Sequence, residues 1–148
     1  MNVLVTGGAG FIGSNLVDRL LERGDRVVVI DDFNDFYDPA IKRENLEGAL
    51  SNKGFRLYEG DIRERGLIKR LFDENPIECV CHIAARAGVR PSLEDPLLYE
   101  EVNCVGTLNI LEEVKIRGVK NFVFAASSSV YGINSKVPFS EDDPINYP

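Results

Sequence analysis

After a short apolar run, Asn2–Thr6, the chain reads Thr6-Gly7-Gly8-Ala9-Gly10-Phe11-Ile12-Gly13 and then turns amphipathic. Residues of these types at this spacing can hold an anion on main chain alone. Glycines at a tight strand-to-helix bend bring backbone N–H groups against a pyrophosphate, where a Cβ would collide. The helix start adds free N–H donors and about half a positive charge, so no basic side chain is needed. The run satisfies G-x-x-G-x-x-G from Gly7 and G-x-G-x-x-G from Gly8, and Gly13 would let the helix pack closely on the sheet.

The next β-branched run, Val27-Val28-Val29-Ile30, ends in Asp31, 18 residues beyond Gly13. An acid about 20 residues past such a turn accepts hydrogen bonds from an adenosine ribose. A carboxylate there repels a 2′-phosphate, and no Arg or Lys lies in the turn, so NAD is favoured over NADP. Lys42 and Arg43 lie close enough in sequence to keep the phosphorylated cofactor as an alternative. A methyltransferase using S-adenosylmethionine is the other user of such a turn. That ligand lacks a pyrophosphate, which the glycine spacing favours.

A second cluster, Glu78, Cys79, Cys81 and His82, holds groups that bind metals. A structural chelate needs four distributed ligands, and only Cys104 remains elsewhere, so no metal site is read. His82, the only histidine, ends an apolar run and is read as packed rather than catalytic.

Strands are expected at Asn2–Thr6, Arg26–Asp31, Phe55–Glu59, Glu78–Ile83 and Asn121–Ala126. Helices are expected at Phe11–Arg23, Ala40–Ser51, Glu64–Glu74 and roughly Leu93–Arg117, with Asp95-Pro96 able to restart the last. Strands that are nearly all apolar alternate with amphipathic helices, which implies a parallel sheet covered on both faces by right-handed crossovers. After Tyr131 the pattern fades into a proline-rich acidic loop, where a doubly wound sheet would be expected to continue.

The 148 residues carry 17 Lys and Arg against 24 Asp and Glu, a formal charge of −7. No basic run exists for a phosphate backbone, so nucleic acid is not expected as a partner. No apolar stretch approaches the ~18 residues of a membrane span, and the first residues do not form a signal peptide. No membrane is expected, and a cytoplasmic location with reduced thiols follows.

Several motifs in order resemble the extended short-chain dehydrogenase/reductase family, in particular its nucleotide-sugar epimerases. Besides the glycine turn they are Gly60-Asp61-Ile62-Arg63, His82-Ile83-Ala84-Ala85, Asn103-Cys104-Val105-Gly106-Thr107 and Ser127-Ser128-Ser129-Val130-Tyr131-Gly132. Two further stretches, Asn34-Asp35-Phe36-Tyr37-Asp38 and Ala85-Arg86-Ala87-Gly88-Val89-Arg90-Pro91-Ser92, are similar to UDP-glucuronate 4-epimerases. The resemblance implies a Rossmann-like α/β fold, a doubly wound parallel sheet of about five strands in the order 3-2-1-4-5. Residues 1–148 would be an NAD-binding domain, without the later strands and the substrate domain.

The resemblance assigns cofactor contacts to Gly7, Gly10, Phe11, Ile12, Gly13 and Asp31. It adds Asp61 and Ile62 beside the adenine, then Ile83, Ala84, Ala85 and Asn103. Ser127 takes the place of the catalytic hydroxyl. Ser128 and Ser129 stand where related dehydratases carry an Asp–Glu pair, so epimerisation without dehydration is preferred, and they would face the substrate carboxylate. Arg90 is open to charge pairing with that carboxylate or to a plain surface role. The implied reaction is C4 oxidation of a UDP-sugar by NAD⁺, rotation of the 4-keto sugar, and hydride return to its other face. The helix over residues 93–117, through Val102, Val105, Leu108, Leu111 and Val114, would form a homodimer surface.

The family's Tyr-x-x-x-Lys pair is missing. Four residues beyond Tyr37, Tyr58, Tyr99 and Tyr131 stand Ile41, Ile62, Asn103 and Ser135, and Tyr147 is followed only by Pro148. The chain alone is therefore expected to be inactive, as the cofactor-binding part of an epimerase. A non-enzymatic NAD(H)-binding module and a dehydratase or decarboxylase parent are the alternatives.

Overall fold

The computed structural model describes residues 1–133 and 136–145. Ser135 and Tyr147, which entered the search for the Tyr–Lys pair, lie outside the described residues. Five parallel strands, β1 (Asn2–Thr6), β2 (Arg26–Asp31), β3 (Phe55–Glu59), β4 (Cys79–His82) and β5 (Asn121–Phe124), form one sheet. Their order is β3-β2-β1-β4-β5, the Rossmann-like arrangement. Register brings Thr6, Ile30 and His82 level at the carboxyl edge of the three central strands. Strand order reverses between β1 and β4, and open α/β sheets take their ligands at that reversal.

Strand alternation divides the core in two. Leu4, Val28, Ile30, Tyr58 and Val80 face one side, with Ile68, Leu71, Ile110 and Val114 from helices. Val3, Val5, Val27, Val29, Cys79 and Cys81 face the other, with Val17, Leu20, Leu46 and Ala49. Central strands covered on both faces need no polar side, which is why their sequences read as continuous apolar runs.

Helices α1 (Phe11–Glu22), α2 (Pro39–Leu50) and α3 (Arg65–Glu74) fall within one residue of the expected spans. The fourth helix is interrupted at Asp95-Pro96, where a restart was expected, and again by a π-helical segment that was not. It divides into α4 (Val89–Glu94), α5 (Pro96–Glu100), a π-helical segment (Glu101–Gly106) and α6 (Thr107–Arg117). Asp95 caps α5, its carboxylate accepting from the Leu98 N–H at 3.1 Å, and Pro96 at the first position has no N–H to continue α4. The π-helical segment then shifts the register of the face presented to the core.

That shift corrects the expected dimer stripe. Val102 and Val114 are buried in the core. Val105, Leu108 and Leu111 remain exposed, joined by Leu97 on α5. At the sheet's edge, Val123 and Phe124 of β5 are more than half exposed. Among the described residues no helix is long and apolar enough to cross a membrane.

Candidate functional site

The bend from β1 into α1 shows what each glycine does. Gly7 has φ +68°, and a Cβ there would lie 2.8 Å from the Ala84 backbone on β4's exit. At Gly13 a Cβ would meet the Gly7 carbonyl oxygen at 2.2 Å, so helix and turn touch only because both are bare. Gly10 differs. Its backbone is extended (φ −70°, ψ 171°), and a Cβ would find its nearest protein atoms at 3.4 and 3.9 Å. No protein contact or conformation requires glycine at that position, and the two atoms nearest a Cβ there, the Gly7 carbonyl oxygen and the Tyr37 hydroxyl, belong to residues that line the cleft with Gly10.

The cleft has a volume of about 340 Å³, within the range of small-molecule sites. Gly7, Gly10, Phe11, Ile12 and Gly13 line it on one side. Asp31, Asp61 and Ile62 line the β2–β3 side, and Ile83, Ala84 and Ala85 the β4 side. Gly10 sits at the N-cap of α1 with no side-chain cap, and Phe11 and Ile12 stay largely exposed. The open end of a helix therefore faces the cleft.

Asp31 is buried at the end of β2. Its carboxylate accepts from the Ala9 and Phe33 N–H groups, both at 3.0 Å, and lies 3.8 Å from the Lys42 ammonium. Burial raises its pKa above the ordinary carboxylate value, although the Phe33 and Ala9 N–H groups and the Lys42 charge oppose the rise. Asp31 thus braces the glycine turn and, with up to four acceptor sites, keeps room for a further donor.

Asp61 follows β3 and is forked by Arg63, through Nε at 2.9 Å and a terminal nitrogen at 2.7 Å. Burial pulls its pKa upward, but the Arg63 hydrogen bonds and the charges of Arg63 and Arg86 prevail and hold it low. Asn109 of α6 donates to the Ile62 and Arg63 carbonyls, both at 3.1 Å, and fixes this loop from below.

A buried polar chain ties the sheet edge to the β4 side. The Thr6 hydroxyl accepts from the Ile83 and Ala84 N–H groups and meets His82 Nδ1 at 2.7 Å. With its acceptor positions used, Thr6 donates to Nδ1, so the proton of a neutral ring sits on Nε2. That nitrogen donates to the Thr107 hydroxyl at 2.9 Å, which donates to the Asn103 carbonyl at 2.6 Å. The Asn103 side-chain amide clasps both the N–H and the C=O of Arg86, at 2.7 and 3.0 Å. Burial pushes the His82 pKa down to about 4, so the ring is neutral near pH 7. His82 packs and positions, as its sequence context suggests.

The expected residues do not all gather. Asn103 does not line the cleft and acts on it through Arg86. Ser127, Ser128 and Ser129 lie outside the cleft lining, on an exposed loop and 3₁₀ turn after β5. There the Ser127 hydroxyl accepts from the Ser129 N–H at 3.2 Å. Arg90 is exposed on α4. Cys79 and Cys81 are buried, with burial and then Cys79 pushing the Cys81 thiol up to about 11, while Cys104 is exposed. Among the described residues no cluster of three or more His, Cys, Asp and Glu is arranged to hold a metal.

Sequence reasoning missed Asp32, Tyr37 and Arg86 as cleft residues and did not foresee that Lys42 pairs with Asp31. Lys42 is buried against Asp31 with its ammonium 5.2 Å from the Tyr37 ring centre. Arg43 turns away, pairing with Glu59 at 2.9 and 3.1 Å. The Tyr37 hydroxyl leans toward the Phe11 N–H without a hydrogen bond of normal geometry, and burial raises its pKa. Tyr37 and Arg86 sit in irregular loops, where no periodicity reveals which way a side chain turns.

A doubly wound sheet with a glycine turn opening its cleft at the strand-order reversal defines a Rossmann-like nucleotide-binding class of domain. The family model described as GDP-mannose 4,6 dehydratase matches residues 4–148, and the chain belongs to that family. It is 46% identical to UDP-glucuronate 4-epimerase 3 of Arabidopsis thaliana, over 99% of this chain and 34% of the relative. The structure of UDP-glucose 4-epimerase from Bifidobacterium longum in complex with NAD⁺ and UDP superposes with a TM-score of 0.85 at 34% identity. That match covers 98% of this chain and 42% of the other. UDP-glucuronic acid 4-epimerase from Bacillus cereus, in complex with UDP-glucuronic acid and NAD, gives 0.83 at 37% identity, over 99% and 46%. The chain spans about a third of the length of the plant relative and under half of the solved ones.

Proposed function

We propose that this chain is the NAD-binding, amino-terminal part of a nucleotide-sugar 4-epimerase of UDP-glucuronate or UDP-glucose type. The observation that carries the reading is Gly10. Protein packing accounts for glycine at Gly7 and Gly13, whereas at Gly10 a Cβ would stand among cleft-lining residues at the open end of α1. That is the place where a diphosphate needs bare backbone. Asp31 holds the ribose beside it, with Lys42 neutralising the carboxylate, and Asp61 and Ile62 flank the adenine. Small Ala84 and Ala85 let the nicotinamide half lie along the exit of β4. NAD⁺, when bound, supplies reversible hydride acceptance from C4 of the sugar.

The residues for the sugar are placed less completely. Ser127 is the hydroxyl that would align the C4 proton, with Ser128, Ser129 and Arg90 toward the substrate carboxylate. All four stand outside the cleft formed by the described residues. No Tyr-x-x-x-Lys occurs in the sequence, so the chain binds cofactor without turning over substrate; losing a general base typically costs 10²–10⁴-fold. A cytoplasmic location and a homodimer through α5 and α6 complete the proposal. Calorimetric titration with NAD⁺, NADP⁺ and S-adenosylmethionine tests it. Saturable binding of NAD⁺, with NADP⁺ weaker and S-adenosylmethionine silent, is expected; silence toward NAD⁺ overturns the reading.

A further inference from the structure

The glycine turn offers a diphosphate main-chain N–H groups but no cation, while the cleft it opens on is rich in acid. Asp31, Asp32 and Asp61 line it against only Lys42 and Arg86 among the described residues. Lys42 is committed to Asp31 in the ribose corner. A dianion entering this lining needs a positive charge that can reach it, and Arg86 is the one not fully spent.

Its pairing is looser than that of Arg63 and Arg43, the other two arginines bound to carboxylates beside the cleft. Arg63 and Arg43 fork their carboxylates with two nitrogens each, at 2.7 to 3.1 Å. Arg86 touches Asp32 through one terminal nitrogen at 3.4 Å, well beyond the ~2.7–2.9 Å of a charge-assisted bond. Its Nε is buried without a hydrogen-bond partner, a desolvated donor with nothing in exchange. The Arg86 side chain is also mostly buried, at 16% exposure, and Arg86 lines the cleft. Its root is fixed, because Asn103 binds both the N–H and the C=O of Arg86. A charged fork on a rigid root, loosely parked on the opposite lip with a spare donor, is built to change partners.

We propose that Arg86 is a phosphate-binding side chain of this cleft, held in reserve by Asp32 and transferred to the diphosphate when a dinucleotide binds. The proposal rests on the reading that the cleft takes a dinucleotide, and it adds to that reading a cation and a closing motion. The Asp32–Arg86 pair links the ends of β2 and β4 across the glycine turn, so opening it admits the ligand.

NAD⁺, ADP and adenosine are titrated into the wild-type chain and into Arg86→Gln, Arg86→Lys and Asp32→Asn, with circular dichroism confirming the fold of each. Arg86→Gln should weaken NAD⁺ and ADP by roughly 10- to 100-fold, the range for losing a charged hydrogen bond, and leave adenosine unchanged. Arg86→Lys should recover part of that loss. Asp32→Asn, which removes the competing carboxylate, should tighten NAD⁺ several-fold, and it carries the test should Arg86→Gln not fold. Equal losses for adenosine and NAD⁺, or an unchanged NAD⁺ affinity in Arg86→Gln, overturn the proposal while sparing the dinucleotide reading. A wild-type chain that binds neither NAD⁺ nor ADP overturns both.

Discussion

Replacing Gly10 and Gly13 by alanine should separate ligand binding from folding within a single turn. At Gly13 two effects oppose. Alanine favours a helix by about 1 kcal/mol over glycine. Its Cβ, however, would sit 2.2 Å from the Gly7 carbonyl oxygen and 2.8 Å from the Gly8 Cα, and backbone cannot rotate aside. Overpacking of this kind costs about 1–3 kcal/mol, and an approach of 2.2 Å to backbone puts Gly13 at the upper end, so the clash wins and the net loss is about 2 kcal/mol. At Gly10 the nearest protein atoms stand at 3.4 and 3.9 Å, ordinary contact distances. There the reduced entropy of the unfolded chain, about 0.4–1 kcal/mol, offsets the poorer N-cap quality of alanine. Stability should then stay within about 0.5 kcal/mol of the wild type. The added methyl stands among the residues that line the cleft, where it would lift a diphosphate off the α1 N–H groups. Losing one or two charged hydrogen bonds of about 1.5–3 kcal/mol each weakens NAD⁺ at least 10-fold. Urea denaturation and calorimetric titration measure the two quantities on the same samples. A Gly10→Ala chain that binds NAD⁺ as well as the wild type, or one that unfolds like Gly13→Ala, refutes the assignment of roles within the turn.

Asp31→Ala should lower NAD⁺ affinity by about 1.5–3 kcal/mol. It should also lower the melting temperature, because it strands the Ala9 and Phe33 N–H groups and the buried Lys42 ammonium; unchanged titration curves would remove Asp31 from the ribose. His82 has a folded pKa of about 4 against about 6.5 when unfolded. The unfolded chain therefore takes up the proton first, and stability falls as pH drops from about 6.5 toward 4, by on the order of 3 kcal/mol. In His82→Gln this part of the slope should vanish, which paired denaturation curves at pH 7 and 4.5 would show. Leu97, Val105, Leu108 and Leu111 are exposed apolar side chains on α5, the π-helical segment and α6, and the chain should dimerise through them at high concentration. Light scattering should report a monomer for Leu108→Glu, and a monodisperse wild-type monomer would refute the interface.

What the sequence revealed and what it concealed differ by a physical rule. Strands β1, β2 and β4 were legible because each is short, mostly apolar and bounded by turn residues, and the sheet buries both of its faces. The glycine turn was legible because its spacing is imposed by contacts between backbones: Gly7 against Ala84, and Gly13 against Gly7. Such contacts admit one residue type and therefore leave a mark. The fourth helix misled because apolar spacing over residues 93–117 fits a single helix, and the inserted π-helical register cannot be counted from that spacing. Val102 and Val114 went to the core for that reason, and Val105 and Leu108 to the surface.

The cleft's charges were the least legible part, and their arrangement explains why. Asp31 was legible from the end of its strand, but Lys42 and Arg86 are placed by three-dimensional neighbours from different strand ends, not by local pattern. Lys42 reaches Asp31 from the first turn of α2, and Arg86 reaches Asp32 only because Asn103 anchors its backbone from the π-helical segment. The anchor itself hangs on Thr107, His82 and Thr6, a chain of hydrogen bonds running back to the end of β1. A neutral His82 satisfies every link in that chain with one proton arrangement, whereas a protonated ring would face the Thr6 hydroxyl with a second donor. The hydroxyl already receives the Ile83 and Ala84 N–H groups, so it has no acceptor left to offer. The geometry of the β4 side of the cleft is thereby tied to the protonation state of a residue that never touches it.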